Sequence, residues 1–252
     1  MSIFYINPFN IYDEDAAAYI NAVESADGQT LETGVRDAIN KFFVGCKSDD
    51  IFDAIKASCI LAGARTLAGA LVPLVSTMPS PTNNLVSENY NRETGLLRGG
   101  SGNLESNRLS IADPRNSHHL SVYVDTNAGG LLIGAFGSGG VGDSFILAGT
   151  IDQFPFRSRI INYFPNEKGT RTLVGVTGFI GQSRNSGTQF TTRLSSTDEI
   201  ISSSSTNAPA SQNYVLYSGS SRISFYSIGE ALDLSLLDAR VSTLMSDLQD
   251  SI

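Results

Sequence analysis

The sequence has 252 residues, of which 25 are acidic and 17 are basic, giving a net charge of −8, and 41% are hydrophobic. This length accommodates one large all-β domain, or a β-sandwich with a small additional module. The acidic balance excludes an extended phosphate-binding surface, so we expect no nucleic-acid partner.

The N-terminus has neither a basic region nor a long apolar run, which predicts that no signal peptide is present. The longest apolar stretch, residues 59–75, is interrupted by glycine, arginine and proline, so we expect no membrane span. Cys46 and Cys59 are either buried reduced thiols or a disulfide between neighbouring helices. Two thiols without histidine partners fall short of the four ligands of a zinc site, so we predict no metal and no cofactor.

Residues 1–78 are predicted to form a helical module. A first helix begins at the acidic residues 13–15, which favour a helix start, and a second begins near Glu32 and is broken or terminated by Gly45. Apolar residues at 51–60 predict a third helix, and residues 62–74 predict a fourth. Pro79 and Pro81 then disfavour further helix.

Residues 79–230 are predicted to form a β-sandwich. Residues 119–124 alternate cleanly, with Leu120, Val122 and Val124 on one face. Many short strands without intervening helices indicate a sandwich or barrel and not a parallel sheet. The other predicted strands are residues 85–86, 95–97, 131–136, 144–148, 159–163, 172–180, 189–193, 214–217 and 222–226.

Residues 231–252 are predicted to form an amphipathic helix whose apolar residues step by three and four. Such spacing is the heptad seam of packed helices. The seam either packs on the sandwich of its own subunit or forms an assembly interface in a homo-oligomer, for example a trimer. The residues of this candidate assembly interface are Leu234, Leu237, Val241, Leu244 and Leu248.

The chemical motifs predict a protein without a catalytic site. Residues 137–142 match G-x-G-x-x-G, but a strand pattern follows where a dinucleotide site needs a helix. His118 and His119 are adjacent on a strand and point to opposite faces, so they cannot bind one metal as a pair. The sequence contains neither a nucleophile elbow nor an alternation of acids that would place them on one sheet face.

Four ring-bearing residues are candidate contacts for a glycan or a protein partner: Tyr90, Tyr123, Tyr163 and His118. Their rings combine a flat apolar body with a polar tip, which suits binding surfaces. Packing in the core is the alternative role for the tyrosines.

Several segments together resemble proteins of the tailed-bacteriophage virion. That resemblance covers nearly the whole chain and implies a short helical region followed by a concanavalin A-like (laminin G-like) β-sandwich of jelly-roll type. The segments that carry it are residues 18–20, 24–29, 44–47, 55–73, 89–96, 106–108, 112–120, 225–233 and 236–241.

The resemblance implies a non-enzymatic structural component displayed on the capsid or tail, as a decoration, cement or fibre-type protein. Its partners would be other virion proteins, and it would assemble in the host cytoplasm, where both cysteines stay reduced. The alternative is a glycan-binding receptor-recognition module of a tail fibre or spike, with a host-surface glycan as ligand. A polysaccharide hydrolase on the same sandwich is a third hypothesis.

Overall fold

A computed structural model describes residues 12–97, 102–126, 129–148, 157–162, 176–205, 208–216 and 221–252. Four α-helices are α1 (Glu14–Asp27), α2 (Thr33–Ser48), α3 (Leu67–Ala70) and α4 (Leu234–Gln249). The strands are β1 (Ile55–Ile60), β2 (Thr82–Asn83), β3 (Tyr90–Asn91), β4 (Gly95–Leu97), β5 (Leu104–Leu109), β6 (His118–Thr126), β7 (Gly130–Ala135), β8 (Asp143–Ala148), β9 (Arg157–Asn162), β10 (Gly178–Arg184), β11 (Gln189–Leu194), β12 (Thr197–Ser202), β13 (Asn213–Leu216) and β14 (Arg222–Gly229).

The strands form two antiparallel sheets. The larger sheet has the order β12-β11-β10-β6-β14-β4-β3, and β1 also pairs with β14. The smaller sheet has the order β2-β5-β13-β7-β8-β9. The predicted fold class, an antiparallel β-sandwich with N-terminal helices and a C-terminal amphipathic helix, is confirmed.

The two large apolar cores among the described residues lie on opposite faces of the larger sheet. The core between the sheets contains Leu120, Val122 and Val124, as their alternation predicted. The second core holds the apolar faces of α1, α2 and α4 against the outer face of the larger sheet. There the rings of Phe42 and Phe225 meet edge to face, with centroids 5.8 Å apart. The helices and the sheet therefore share one core.

The heptad seam of α4 lies in this second core. Its five residues, Leu234, Leu237, Val241, Leu244 and Leu248, are each at most 3% exposed. The prediction that they form an assembly interface is wrong, because α2 and the sheet of the same chain already cover them. The alternative, packing on the helix's own subunit, is what the structure shows.

We expect Leu237→Ala to lower the free energy of unfolding by about 2–5 kcal/mol, because it opens a cavity in a close-packed core. The native molecular mass in sedimentation should not change. Leu236→Ala, on the partly buried side of the same turn, is the matched control and should cost clearly less. A change in oligomeric state without a loss of stability would contradict the intrachain role of the seam.

The predicted third helix is wrong, since residues 55–60 form strand β1 after a short 3-10 helix at Phe52–Ala54. Ile55 and Ile60 face the helical core, whereas Ala57 and Cys59 face the core between the sheets. The apolar residues Ile51, Phe52, Ile55, Cys59 and Ile60 lie at helical spacing, so the periodicity favoured a helix although residues 55–60 form a strand.

Two further helix predictions need correction. The fourth helix is confined to Leu67–Ala70, and α2 continues through Gly45 to Ser48. A Cβ atom at Gly45 would lie 2.7 Å from Cδ of Arg240, so glycine here allows α4 to approach α2. Gly45 therefore serves helix packing and does not terminate the helix.

Cys46 and Cys59 are free and buried. Burial raises the pKa of each thiol to about 12, so neither forms a thiolate at neutral pH. We expect no reaction of the native protein with Ellman's reagent, and reaction of both thiols after unfolding in denaturant. Rapid labelling of a native thiol would contradict this burial.

Candidate functional site

A polar cleft of about 450 Å³ lies on the outer face of the larger sheet, near its β12 edge. The alternation of β11 creates its floor, since Phe190, Thr192 and Leu194 are buried while Thr191 is partly exposed on the opposite face. The first residues of α4 and the chain before them form one wall. The cleft is lined by Ser183, Asn185, Thr191, Asp198, Ala231, Leu232, Asp233 and Leu234.

Four polar groups in this cleft make no hydrogen bond within the described residues. They are the amide of Asn185, the hydroxyl of Thr191, and Oδ2 of both Asp198 and Asp233. The other oxygen of each carboxylate is occupied: Oδ1 of Asp198 accepts from Nη1 of Arg193 at 2.9 Å, and Oδ1 of Asp233 accepts from the backbone N–H of Ser235 at 2.8 Å. In each carboxylate, Oδ1 accepts a hydrogen bond from the protein, and Oδ2 remains available to accept one from a ligand.

Arg193 connects the cleft to α4. Its Nε donates to Oδ2 of Asp238 at 2.7 Å and its Nη1 donates to Asp198. Burial opposes the charge of Arg193, but the hydrogen bonds to Asp198 and Asp238 outweigh burial and raise the pKa of the guanidinium. Hydrogen bonds from Ser235 lower the pKa of Asp233, so its carboxylate stays ionised at neutral pH.

A fully buried arginine, Arg184, organises the hairpin that carries Asn185. Its Nη1 donates to the carbonyl oxygens of Ser186, Gln189 and Ser203 at 3.2, 3.3 and 2.9 Å. Burial lowers the pKa of Arg184 to about 10. These hydrogen bonds hold the β10–β11 hairpin in place, and with it Asn185 at the rim of the cleft.

His118 is not a surface contact, and its prediction as a glycan or partner contact is wrong. It is fully buried between the sheets, where Nε2 lies 2.5 Å from the Tyr214 hydroxyl and Nδ1 lies 3.9 Å from Oδ2 of Asp113. Burial lowers the pKa of His118 to about 4, so it is neutral at pH 7.

Two of the three candidate tyrosines have packing roles. The hydroxyl of Tyr90 donates to the carbonyl oxygen of Ala64 at 2.5 Å, and Tyr123 packs, partly buried, against the helical core. Neither lines the cleft. Tyr163 lies outside the described residues.

Three of the segments that carry the virion-protein resemblance, residues 24–29, 55–73 and 89–96, meet at an ion-pair cluster around Glu32. Glu32 pairs with Nη2 of Arg65 at 2.9 Å and with Nη1 of Arg92 at 2.9 Å, and Arg92 lowers the pKa of Glu32 to about 2. Asp27 accepts from the backbone N–H of Arg65 at 2.7 Å. This cluster ties the helices to the β3–β4 hairpin, so the resemblance there concerns the scaffold.

Other chemical motifs have structural explanations in the described part of the chain. Residues 137–142 form the loop between β7 and β8, and no helix follows the loop. Among the described residues, no group of three or more His, Cys, Asp or Glu side chains is placed to hold a metal ion. The described helices also include none with the length and apolar character needed to span a membrane.

No protein-family model matches the sequence, and no curated protein matches it either. Among solved structures, it is similar to domain 4 of AbnA, a GH43 extracellular arabinanase from Geobacillus stearothermophilus, in complex with arabinotriose. The two chains are 11% identical, the match covers 74% of this chain and 97% of that chain, and the TM-score is 0.47. It is also similar to the botulinum neurotoxin serotype D binding domain (10% identity, 79% of this chain, TM-score 0.47) and to the botulinum neurotoxin DC binding domain in complex with SialylT (13% identity, 78% of this chain, TM-score 0.47). The match spans about half the length of these two binding domains, 52% in each case.

Proposed function

We propose that this chain is a carbohydrate-binding protein whose saccharide occupies the polar cleft of the larger sheet. The observation that supports this most is that four residues lining one concave site each have a polar atom without a hydrogen-bond partner among the described residues. Carboxylate oxygens accept from sugar hydroxyls, while the amide of Asn185 and the hydroxyl of Thr191 both donate and accept. Matches as distant as those above transfer no ligand, so the cleft alone supports the proposal.

Binding without hydrolysis fits the electrostatics of the cleft better than a glycosidase does. Glycoside hydrolysis requires one of two carboxyl groups to remain protonated as a general acid with a raised pKa. Asp233 instead has a lowered pKa, and Asp198 is paired with Arg193. Asp233 is therefore not suited to donate a proton at neutral pH.

The cleft has no aromatic side chain among its described lining residues, and Ala231, Leu232 and Leu234 provide its apolar surface. We therefore expect weak binding of a single site and useful avidity only when several copies act together. Display in many copies on a virion would supply this avidity. The virion location, the other virion proteins as partners and a homo-oligomeric state are proposed from the resemblance alone.

The proposed function is tested by a glycan array followed by calorimetric titration of each positive glycan. Thr191→Arg places a long side chain on the cleft floor and should weaken binding by more than about tenfold, which is about 1.4 kcal/mol. Gln189→Arg adds the same side chain at an exposed position two residues earlier on β11 and should leave affinity unchanged. Equal affinities of the two variants, or no positive glycan at millimolar concentration, would overturn the proposal.

The virion location has its own test. Mass spectrometry of purified virions whose genome encodes this chain should detect it in multiple copies per particle. Its absence from mature particles would overturn the virion location without affecting the cleft.

A further inference from the structure

We propose that the cleft selects uncharged saccharides and rejects anionic ones. This inference rests on the proposed function and names the class of ligand. It follows from the charges that line the cleft and from the hydrogen bonds that hold them.

The described residues that line the cleft carry two negative charges and no positive charge. Asp198 and Asp233 are the ionisable residues among them, and Oδ2 of each accepts no hydrogen bond from the described residues. The amide of Asn185 and the hydroxyl of Thr191 are neutral. A carboxylate or sulfate on the ligand would therefore meet two like charges at close range, where screening is weaker than in bulk water. Neutral hydroxyl groups donate to the same oxygens without this repulsion.

Arg193, the cation that is hydrogen-bonded to the cleft lining, is held by carboxylates of this chain. Arg193 is about 88% buried, since its side chain is 12% exposed, and its Nε and Nη1 atoms are already hydrogen-bonded to Asp238 and Asp198. Asp238 is 5% exposed, and Ser242 donates to its other oxygen at 2.9 Å. Turning Arg193 toward a ligand would leave the buried carboxylate of Asp238 without its cation, which is strongly unfavourable.

The net charge of −8 acts in the same direction at longer range. Like charges on the whole surface lower the local concentration of anionic ligands and slow their association. This long-range part is sensitive to ionic strength, since the Debye length falls to about 3 Å at 1 M salt. Added salt should therefore reduce the difference in affinity between neutral and anionic saccharides.

The test compares neutral oligosaccharides with anionic derivatives of the same core. Suitable pairs are lactose with 3′-sialyllactose, N-acetyllactosamine with its sialylated form, and xylotriose with a glucuronic-acid-bearing xylotriose. We expect the neutral member of any pair that binds to have at least a tenfold lower Kd, which is about 1.4 kcal/mol. In 1 M NaCl the ratio of the anionic Kd to the neutral Kd should decrease.

The variant Asp198→Asn with Asp233→Asn removes both charges and retains hydrogen-bonding groups of the same size. Asparagine also caps helices well, so the start of α4 should be preserved, as thermal unfolding will verify. In this variant, the Kd of the anionic member should be less than about three times the Kd of the neutral member.

Three results would be decisive against the inference or its basis. Equal or tighter binding of an anionic member overturns the charge selection while the proposed function stands. A Kd ratio that stays at tenfold or more in the variant with both asparagines likewise overturns the charge selection. Failure of every member of both classes to bind overturns the proposed function itself.

Discussion

Arg108→Met should lower the free energy of unfolding by about 3–5 kcal/mol, the cost of leaving a buried charge without its partner. Nε of Arg108 donates to Oδ2 of Asp113 at 3.0 Å, and the side chain of Asp113 is 1% exposed. Without Arg108, that carboxylate has no cation in contact among the described residues. Urea denaturation followed by circular dichroism measures the change.

The control for this prediction removes both partners. In the double variant Arg108→Met with Asp113→Leu, no buried charge remains at this position, so most of the lost stability should return. Similar stabilities of the single variant and the wild-type protein would show that Asp113 is solvated. A double variant that is less stable than the Arg108→Met single variant would show that Asp113 has another essential contact.

Acidification should destabilise the protein between about pH 6.5 and pH 4 through two buried histidines. Burial lowers the pKa values of His118 and His119 from 6.5 to about 4. Below pH 6.5 the unfolded chain therefore binds protons that the native protein does not, and stability is lost as the pH falls. Each histidine should contribute about 3 kcal/mol across this window, at about 1.4 kcal/mol per pKa unit.

The histidines and Glu32 affect stability in different pH ranges. Arg92 lowers the pKa of Glu32 from 4.5 to about 2, so the contribution of Glu32 is lost only as the pH falls from about 4.5 toward 2. We expect His118→Gln and His119→Gln each to reduce the slope of stability against pH between 6.5 and 4.5. Denaturant titrations at half-unit pH steps provide the slopes, and an unchanged slope in both variants would contradict the prediction.

The alternation of β6 made that strand predictable, whereas the helical spacing of apolar residues concealed β1. Leu120, Val122 and Val124 alternate with more polar residues, and β6 was predicted close to its true bounds. β1 has no such alternation, and its two faces contact the two cores. The heptad of α4 fits a contact within the chain or between chains equally well, since the spacing describes only the apolar face.

The cleft could not be predicted because one of its strands was missed and its residues are distant in sequence. β11 and β12 are joined by Ser195 and Ser196, whose φ angles are +48° and +58°. Two-residue hairpin turns with positive φ usually contain asparagine or glycine, so the Ser-Ser pair gave no turn signal. Without β12, nothing placed Asp198 beside Arg193 or opposite Asp233.

Binding of a saccharide in this cleft is tested most directly by an NMR titration of the ¹⁵N-labelled protein with an oligosaccharide that is positive on the array. We predict saturable shifts of backbone amides concentrated at residues 183, 185, 191, 198 and 231–234, which line the cleft. Thr191→Arg should abolish these shifts. Shifts concentrated elsewhere, for example on the smaller sheet, would contradict the assignment of the cleft as the binding site.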